Sequence, residues 1–315
     1  MARKKLIEAN EVKPTVKNLV IILTLSGICL TSCFGQDMFK ARQLTFSPAQ
    51  EGFPTWSPDG KSIIYQYTDL NDTTGKNGIW KMSQDGTGAE SLFSGIAEHA
   101  SWSPDGNLIV FDADTGQSIK MIPAEGGDPI VFLPDSIQIN NGGLPCWSPD
   151  GSQIAFKDSE YSLCIYNMET KSTARVFKEE GMMLLPGCWS RDGKHVLIAL
   201  MDRPSRKSTI WKISSDGKES RQITGHLENF YRYIALSPDG SLLIYAAMEG
   251  RYLGLYIMPA EGGRSLPLAV SRKGNNEAAC WSPNGGKIAF VRNFDIWIMD
   301  LNDEQLRNKL QIPKE

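Results

Sequence analysis

An aspartate recurs along this chain at nearly even intervals. Asp59, Asp105, Asp150, Asp192 and Asp239 each sit in a Ser-Pro-Asp-Gly tetrapeptide or a close variant, and Asn284 takes the same place in a sixth copy. Carboxylates can act as general acids, bases or nucleophiles. That work needs a few groups whose surroundings push their pKa values apart, and near-identical copies do not supply it. The same four residues do make a tight turn: Pro presets φ, Asp bonds its own backbone, and Gly accepts a positive φ. These aspartates are therefore read as turn residues.

Other residues with chemical potential are fewer. Asp112-x-Asp114-x-Gly116 is spaced like the start of a calcium loop but lacks the downstream bidentate acid. Of the three histidines, His195 and His226 read as structural or solvated. Cys146, Cys188 and Cys280 directly precede a repeated Trp, in a slot that holds Thr55, Ser101 and Ala235 elsewhere. Cys164 shares a slot with Trp80, Trp211, Tyr256 and Trp297. With no CxxC pairs, these four read as core thiols rather than metal ligands or a disulfide framework. No metal site and no cofactor is assigned.

Residues that differ between repeats at one equivalent place are free to serve a ligand. Just ahead of the small slot the repeats read Glu51-Gly52-Phe53, Ala97-Glu98-His99, Gly142-Gly143-Leu144, Leu184-Leu185-Pro186, Tyr231-Arg232-Tyr233 and Asn276-Glu277-Ala278. If these segments ring one mouth of a channel, Glu51, Glu98, His99, Tyr231, Arg232, Tyr233, Asn276 and Glu277 converge there. Apolar groups with a few polar ones on a rigid scaffold suit ligand binding; the alternative is that each is a solvated loop residue. Arg232 has the planar fork that fixes a carboxylate. His99 with Glu51 or Glu98 could move protons, but no nucleophile or metal accompanies them, so no catalytic residue is assigned.

The elements that must position these residues follow from the repeat. Trp56, Trp102, Trp147, Trp189, Leu236 and Trp281 open the six copies, at spacings of 46, 45, 42, 47 and 45. A period of this size marks supersecondary units that bury their apolar faces on one another. Residues 51–93 read as four short strands: Phe53–Trp56, Ile63–Tyr67, Ile79–Met82 and Glu90–Phe93. Matching third strands fall at Ile119–Ile122, Leu163–Tyr166, Ile210–Ile213, Leu255–Met258 and Ile296–Met299. Four antiparallel strands per repeat make a propeller blade, so the chain is expected to be all-β, a six-bladed β-propeller. Two segments compete for the last outer strand. Arg42-Gln43-Leu44-Thr45 resembles Arg221-Gln222-Ile223-Thr224, and Lys309–Ile312 has suitable spacing. The N-terminal segment is favoured, leaving the tail as a surplus strand or a short helix.

The 315 residues are 41% hydrophobic and 22% charged, ordinary for a globular chain. Net charge is −3, although residues 1–32 carry Arg3, Lys4, Lys5, Lys13 and Lys17 against only Glu8 and Glu11. A mildly acidic body without a basic stripe argues against a nucleic-acid partner. Residues 1–32 read as a signal peptide: a basic start, an apolar run over Asn18–Leu30 too short to span a bilayer, then small residues. Leu30-Thr31-Ser32-Cys33 resembles a bacterial lipobox, which would lipidate Cys33 and tether the body through residues 33–41. Cleavage after Gly35 is the alternative and would give a soluble periplasmic or secreted protein. Residues 42–315 would form the propeller.

The WSPDG copies, Ile-Trp-x-Met third strands and outer strands ending Leu-Thr together resemble the TolB-like six-bladed propeller family. The resemblance covers essentially all of residues 42–315. TolB itself is a periplasmic protein that bridges envelope partners; this chain is expected to lack the α/β module that precedes the propeller there and to carry a lipid, so those partners are not carried over. Prolyl oligopeptidase relatives carry a hydrolase domain; this chain has no Gly-x-Ser-x-Gly elbow. The leading reading is a monomeric, non-catalytic protein of the cell envelope, periplasmic or anchored in the outer membrane, whose channel mouth binds a protein or a saccharide. A glycan-active lyase or hydrolase on the same rim is the alternative. A third reading is an assembly subunit that uses its blade edges.

Overall fold

Each repeat begins at its turn. Ser57 Oγ donates to Asp59 Oδ1 at 2.7 Å, Asp59 Oδ1 accepts the Lys61 N–H, and Ser57 Oγ accepts the Ser62 N–H. The same three bonds recur at Ser103/Asp105, Ser148/Asp150, Ser190/Asp192 and Ser237/Asp239, with Asn284 replacing the carboxylate at Ser282. Hydrogen bonding to the charged form holds Asp59 down to about 2, and Asp105, Asp150 and Asp192 are lowered for the same reason. The aspartates are thus occupied as turn acceptors.

These turns join antiparallel strands in a computed structural model that describes residues 37–311 apart from 135 and 226–231, with the backbone alone for Arg232. Six four-stranded sheets result. Their inner strands are Gln50–Trp56, Ala97–Trp102, Cys146–Trp147, Met182–Trp189, Arg232–Leu236 and Asn276–Trp281, numbered here as blades 1 to 6. Second strands run Ser62–Thr68, Leu108–Ala113, Gln153–Lys157, His195–Asp202, Leu242–Glu249 and Lys287–Arg292. Third strands follow in each blade. The outer strand of blade 6 is Ala41–Gln43, with Arg42 opposite Ile298. The N-terminal segment therefore closes the ring, as the sequence favours. The tail forms the helix Asp303–Leu310, capped by Asn302 and held by buried Leu306 and Leu310.

The core lies between blades. Ile64, Ile79 and Leu92 of blade 1 pack on Ile109, Phe111 and Ile122 of blade 2, and comparable clusters fill each following junction. Trp56, Ile63, Tyr65 and Met82 pack on Ala289, Val291, Ile296 and Ile298, joining blade 1 to blade 6. The turns also touch in a ring. A methyl added at Gly60 would meet Pro283 Cδ at 3.6 Å, and one at Gly106 would meet Pro58 Cδ at 3.8 Å. At Gly240 the neighbour is Arg191 Cβ, because Arg replaces Pro there. Three of the five repeated indoles also bond across blades: Trp102, Trp189 and Trp281 donate Nε1–H to the carbonyls of Thr55, Cys146 and Ala235, the small slots one blade earlier, whereas Nε1 of Trp56 and Trp147 makes no hydrogen bond.

The small slots hold free cysteines in blades 3, 4 and 6. Burial pushes Cys188 to about 12 and Cys280 to about 11, and raises Cys146 as well. Cys164 is fully buried and pushed to about 12, chiefly by burial. Cys164 is thus the core thiol, whereas Cys146, Cys188 and Cys280, expected in the core, are partly exposed along the central channel.

Candidate functional site

Five of the six inner strands are interrupted at the same place. Gly52 pairs with Gln66 and Thr55 with Ile64, so Phe53 and Pro54 together face Tyr65 alone. Equivalent shifts occur at Glu98/Ser101, Pro186/Cys188, Arg232/Ala235 and Glu277/Cys280. Such a bulge re-aims side chains. The residue three before the repeated Trp is left-handed in five blades: Phe53, His99, Leu144, Tyr233 and Ala278, with φ between 50 and 55°. Pro186 holds the sixth place, where its ring forbids positive φ. A left-handed backbone costs a non-glycine residue about 1–2 kcal/mol, so the surrounding blades must enforce it.

These six residues line the central channel, a cavity of about 400 Å³ that continues past the small slots to the turns. Three aromatic rings converge across it. Phe53 lies 4.2 Å from His99 and 5.2 Å from Tyr233 between ring centroids. Blade 6 separates Tyr233 from Phe53 along the ring, and its residue here is Ala278, small enough to let the two meet.

Beyond that constriction lies a second cavity of about 250 Å³, lined by Glu51, Gln66, Glu98, Tyr233, Glu277 and Phe294 among others. Glu51 is only 3% exposed. Its Oε1 accepts from Ser47 Oγ at 2.7 Å, while its buried Oε2 makes no hydrogen bond. Burial raises its pKa, opposed by the Thr45 and Ser47 hydroxyls, and nearby Asp295 adds to the rise. Glu98 Oε1 accepts from Gln66 Nε2 at 3.2 Å.

Of the residues expected to converge, Glu51, Glu98, Tyr233 and Glu277 line this mouth cavity, and His99 lines the channel beneath. Asn276 is fully buried and lines neither; its Oδ1 accepts from Arg292 Nε at 2.6 Å. Arg292 in turn pairs with Asp37 and lies 4.7 Å from the Trp297 ring. Tyr231 and the Arg232 side chain, like Cys33 and the signal segment, lie outside the described residues.

The sequence reading passed over Gln66 and Lys157, and weighed Asp112 only as part of a calcium loop. Asp112, 2% exposed, holds His99 Nδ1 at 2.8 Å and accepts the N–H groups of Gly143 at 2.6 Å and Leu144 at 3.0 Å. Because Asp112 accepts on both oxygens, Nδ1 of His99 is the donor. Asp112 is thus a clamp between blades 2 and 3, and Asp114 bonds Ser118 and Lys120, so the suggested calcium loop has both carboxylates engaged by protein. Lys157 is 1% exposed and donates to the carbonyls of Asn140 and Asn141; burial lowers its pKa, and Asp112 and Asp158 oppose that. Gln66, Asp112 and Lys157 are each the sixth residue after the turn Gly, where blades 4 to 6 have Ala199, Ala246 and Val291. Aligning second strands as well as inner strands exposes this polar half of the ring.

Residues 138–311, more than half of the chain, match the family described as TolB beta propeller domain. The chain belongs to that family. A TolB structure from Acinetobacter baumannii superposes with a TM-score of 0.59 at 16% identity, over 81% of this chain and 64% of that one. An oligogalacturonate lyase from Vibrio parahaemolyticus superposes at 0.58 with 12% identity, over 85% and 96%. In sequence, an uncharacterized protein of Agrobacterium fabrum, Atu1656, is 23% identical over 279 residues, 82% of this chain and 89% of its own. These likenesses establish the propeller and leave its ligand to the site itself. What this TolB-type propeller offers is an acidic cavity above an aromatic constriction. His99 is oriented by Asp112, but no hydroxyl or thiol is hydrogen-bonded to it among the described residues.

Proposed function

We propose that this chain is a non-catalytic binding module of the cell envelope that receives a partner at the channel mouth. The observation that carries this reading is the convergence of Glu51, Glu98, Tyr233 and Glu277, from blades 1, 2, 5 and 6, on one cavity. The repeat constrains strands and turns but leaves these positions variable between blades, with Glu98 and Glu277 sharing one slot. Membership in the TolB propeller family supports a protein as the partner. Among the described residues no helix is long and apolar enough to cross a membrane. Attachment is assigned to a lipid on Cys33 after removal of residues 1–32, and Cys33→Ser should release the protein from membranes.

The hydrogen bond from His99 to Asp112 favours one second reading, a lyase or hydrolase acting on a glycan. Photocrosslinking separates the two. A photoreactive residue at Phe294 should capture a discrete partner in cells, and one at Val131 on the outer strand of blade 2 should not. Capture only at Val131 would move the interface to the blade edges. Turnover of an oligosaccharide, lost in His99→Ala, would establish the enzyme.

A further inference from the structure

The loops at the mouth end of the propeller are charged unevenly. Inner strands start at this end and second strands finish there, as the pairing of Glu51 with Tyr67, Met182 with Asp202 and Asn276 with Arg292 shows. The hairpins that follow the second strands and the connections that lead into the inner strands therefore share one face. From the hairpin of blade 4 round to the connection between blades 5 and 6, that face carries Arg203, Arg206, Lys207, Arg251, Arg272 and Lys273, all exposed. Of the acids in this sector, Asp202 accepts the Ser205 N–H at 2.9 Å and Glu249 accepts from Tyr256 Oη at 2.6 Å, each within its own blade. The connection from blade 4 to blade 5 contributes Glu228 and Arg232, one residue of each sign, so the positive excess stands without it. The hairpins of blades 1 to 3 are opposite in sign, with Asp69, Asp72, Asp114, Asp158 and Glu160 against Lys76, and the connection 178–181 adds a further negative charge.

The chain enters the propeller beside the basic sector. Asp37 pairs with Arg292 at the mouth end of blade 6, and the Met38 N–H donates at 2.8 Å to the Leu268 carbonyl on the outer strand of blade 5. Arg272 and Lys273 lie on the connection between those same two blades. Cys33 is four residues before Asp37, a span of at most about 14 Å. A lipid on Cys33 would hold the basic sector close to a bilayer surface. There, anionic headgroups attract Lys and Arg within a Debye length, about 8 Å at physiological salt. We infer that the loops of blades 4 and 5 rest on the anionic phospholipid headgroups of the membrane that holds this lipid, with the acidic hairpins of blades 1 to 3 tilted away from it. The inference rests on attachment through Cys33. Tether and charge then favour the same orientation, because the attachment point and the positive loops share one side of the mouth face. The mouth stays open on its acidic side, where a partner can reach it.

The test adds the protein, purified from cells, to phosphatidylcholine vesicles made with or without phosphatidylglycerol, and treats both with an uncharged amine-acylating reagent. Mass spectrometry reads the lipid on Cys33 and the acylation rate at each lysine. Phosphatidylglycerol should slow acylation of Lys207 and Lys273 at least about fivefold, roughly the effect of one basic residue near an anionic surface. Lys76, exposed on the acidic side of the same face, should be unchanged, and high salt should restore the rates. Arg206→Gln combined with Arg251→Gln should remove most of the protection, with melting temperatures confirming that the variant folds. Equal rates on the two kinds of vesicle would overturn the inference. So would protection of Lys76 instead, or the same protection from inorganic phosphate without vesicles. If Cys33 carries no lipid, the attachment reading falls. The surface inference then stands only if the protein still sediments with phosphatidylglycerol vesicles and not with phosphatidylcholine alone; sedimentation with both or with neither would overturn it too.

Discussion

Replacing Asp112 with alanine tests how the mouth is held in shape. The carboxylate accepts from His99 Nδ1, Gly143 N–H and Leu144 N–H at 2.8, 2.6 and 3.0 Å, and it is 2% exposed. Water cannot readily take its place. Each buried donor left without an acceptor costs about 1–3 kcal/mol. His99 can turn toward the channel, so its loss lies at the low end. The two backbone donors cannot turn, because a methyl on Gly143 would already meet Ile119 Cδ1 at 2.4 Å. Asp112→Ala should therefore cost about 3–5 kcal/mol, a fall in Tm of roughly 6–20 °C for a domain of this size. Asp112→Asn should cost less, about 1–3 kcal/mol. An amide has one accepting oxygen, so either Gly143 or Leu144 loses its acceptor whichever way it points. His99→Ala removes one donor and leaves both backbone bonds, and should cost about 1 kcal/mol. Urea unfolding with linear extrapolation measures all three, and hydrogen exchange at Gly143 and Leu144 reports the clamp directly. If Asp112→Ala costs no more than His99→Ala, or if both amides stay protected in it, Asp112 is not the clamp.

Three further outcomes follow from the packing and charge. Gly217→Ala should destabilise by about 2 kcal/mol or more, because φ is +73° and the new methyl would fall 2.1 Å from Val176 O; a melting curve matching wild type would refute the close approach. Glu51→Gln should raise Tm at pH 8, with the gain vanishing near pH 4. Burial raises the Glu51 pKa above its usual 4.5, so its charge destabilises the fold above the raised value and not below the unfolded one. A gain that grows on acidification would reverse that sign. Cys164, fully buried and pushed up to about 12 chiefly by burial, should resist a thiol reagent at pH 8 until the protein unfolds; fast native labelling of it would contradict its core placement.

The fold was legible because its punctuation is local. Ser, Pro, Asp and Gly carry their turn chemistry within four residues, and the likeness of Arg42–Thr45 to Arg221–Thr224 pointed to the strand that closes the ring. The tail reads only as a surplus strand or a short helix, although Asn302 caps the helix and Asp303 and Glu304 fill its first turn. The bulge was not legible. Phe53, His99, Leu144, Tyr233 and Ala278 have no shared preference for left-handed backbone, so only their place in the ring imposes it. Convergence of Glu51, Glu98, Tyr233 and Glu277 could be expected from blade phase alone. That Asn276 turns away could not, because its partner Arg292 lies on a neighbouring strand and is fixed by Asp37 from the far end of the chain.

The closing strand has a consequence for how the molecule is made. Gln43 faces Trp297, so the residues that seal the ring leave the ribosome about 250 positions apart. Until those two ends meet, every folding intermediate has a raw edge at each end of its stack of blades. A chain exported by residues 1–32 would therefore remain an open arc until both ends have crossed the membrane, and become a circle only then.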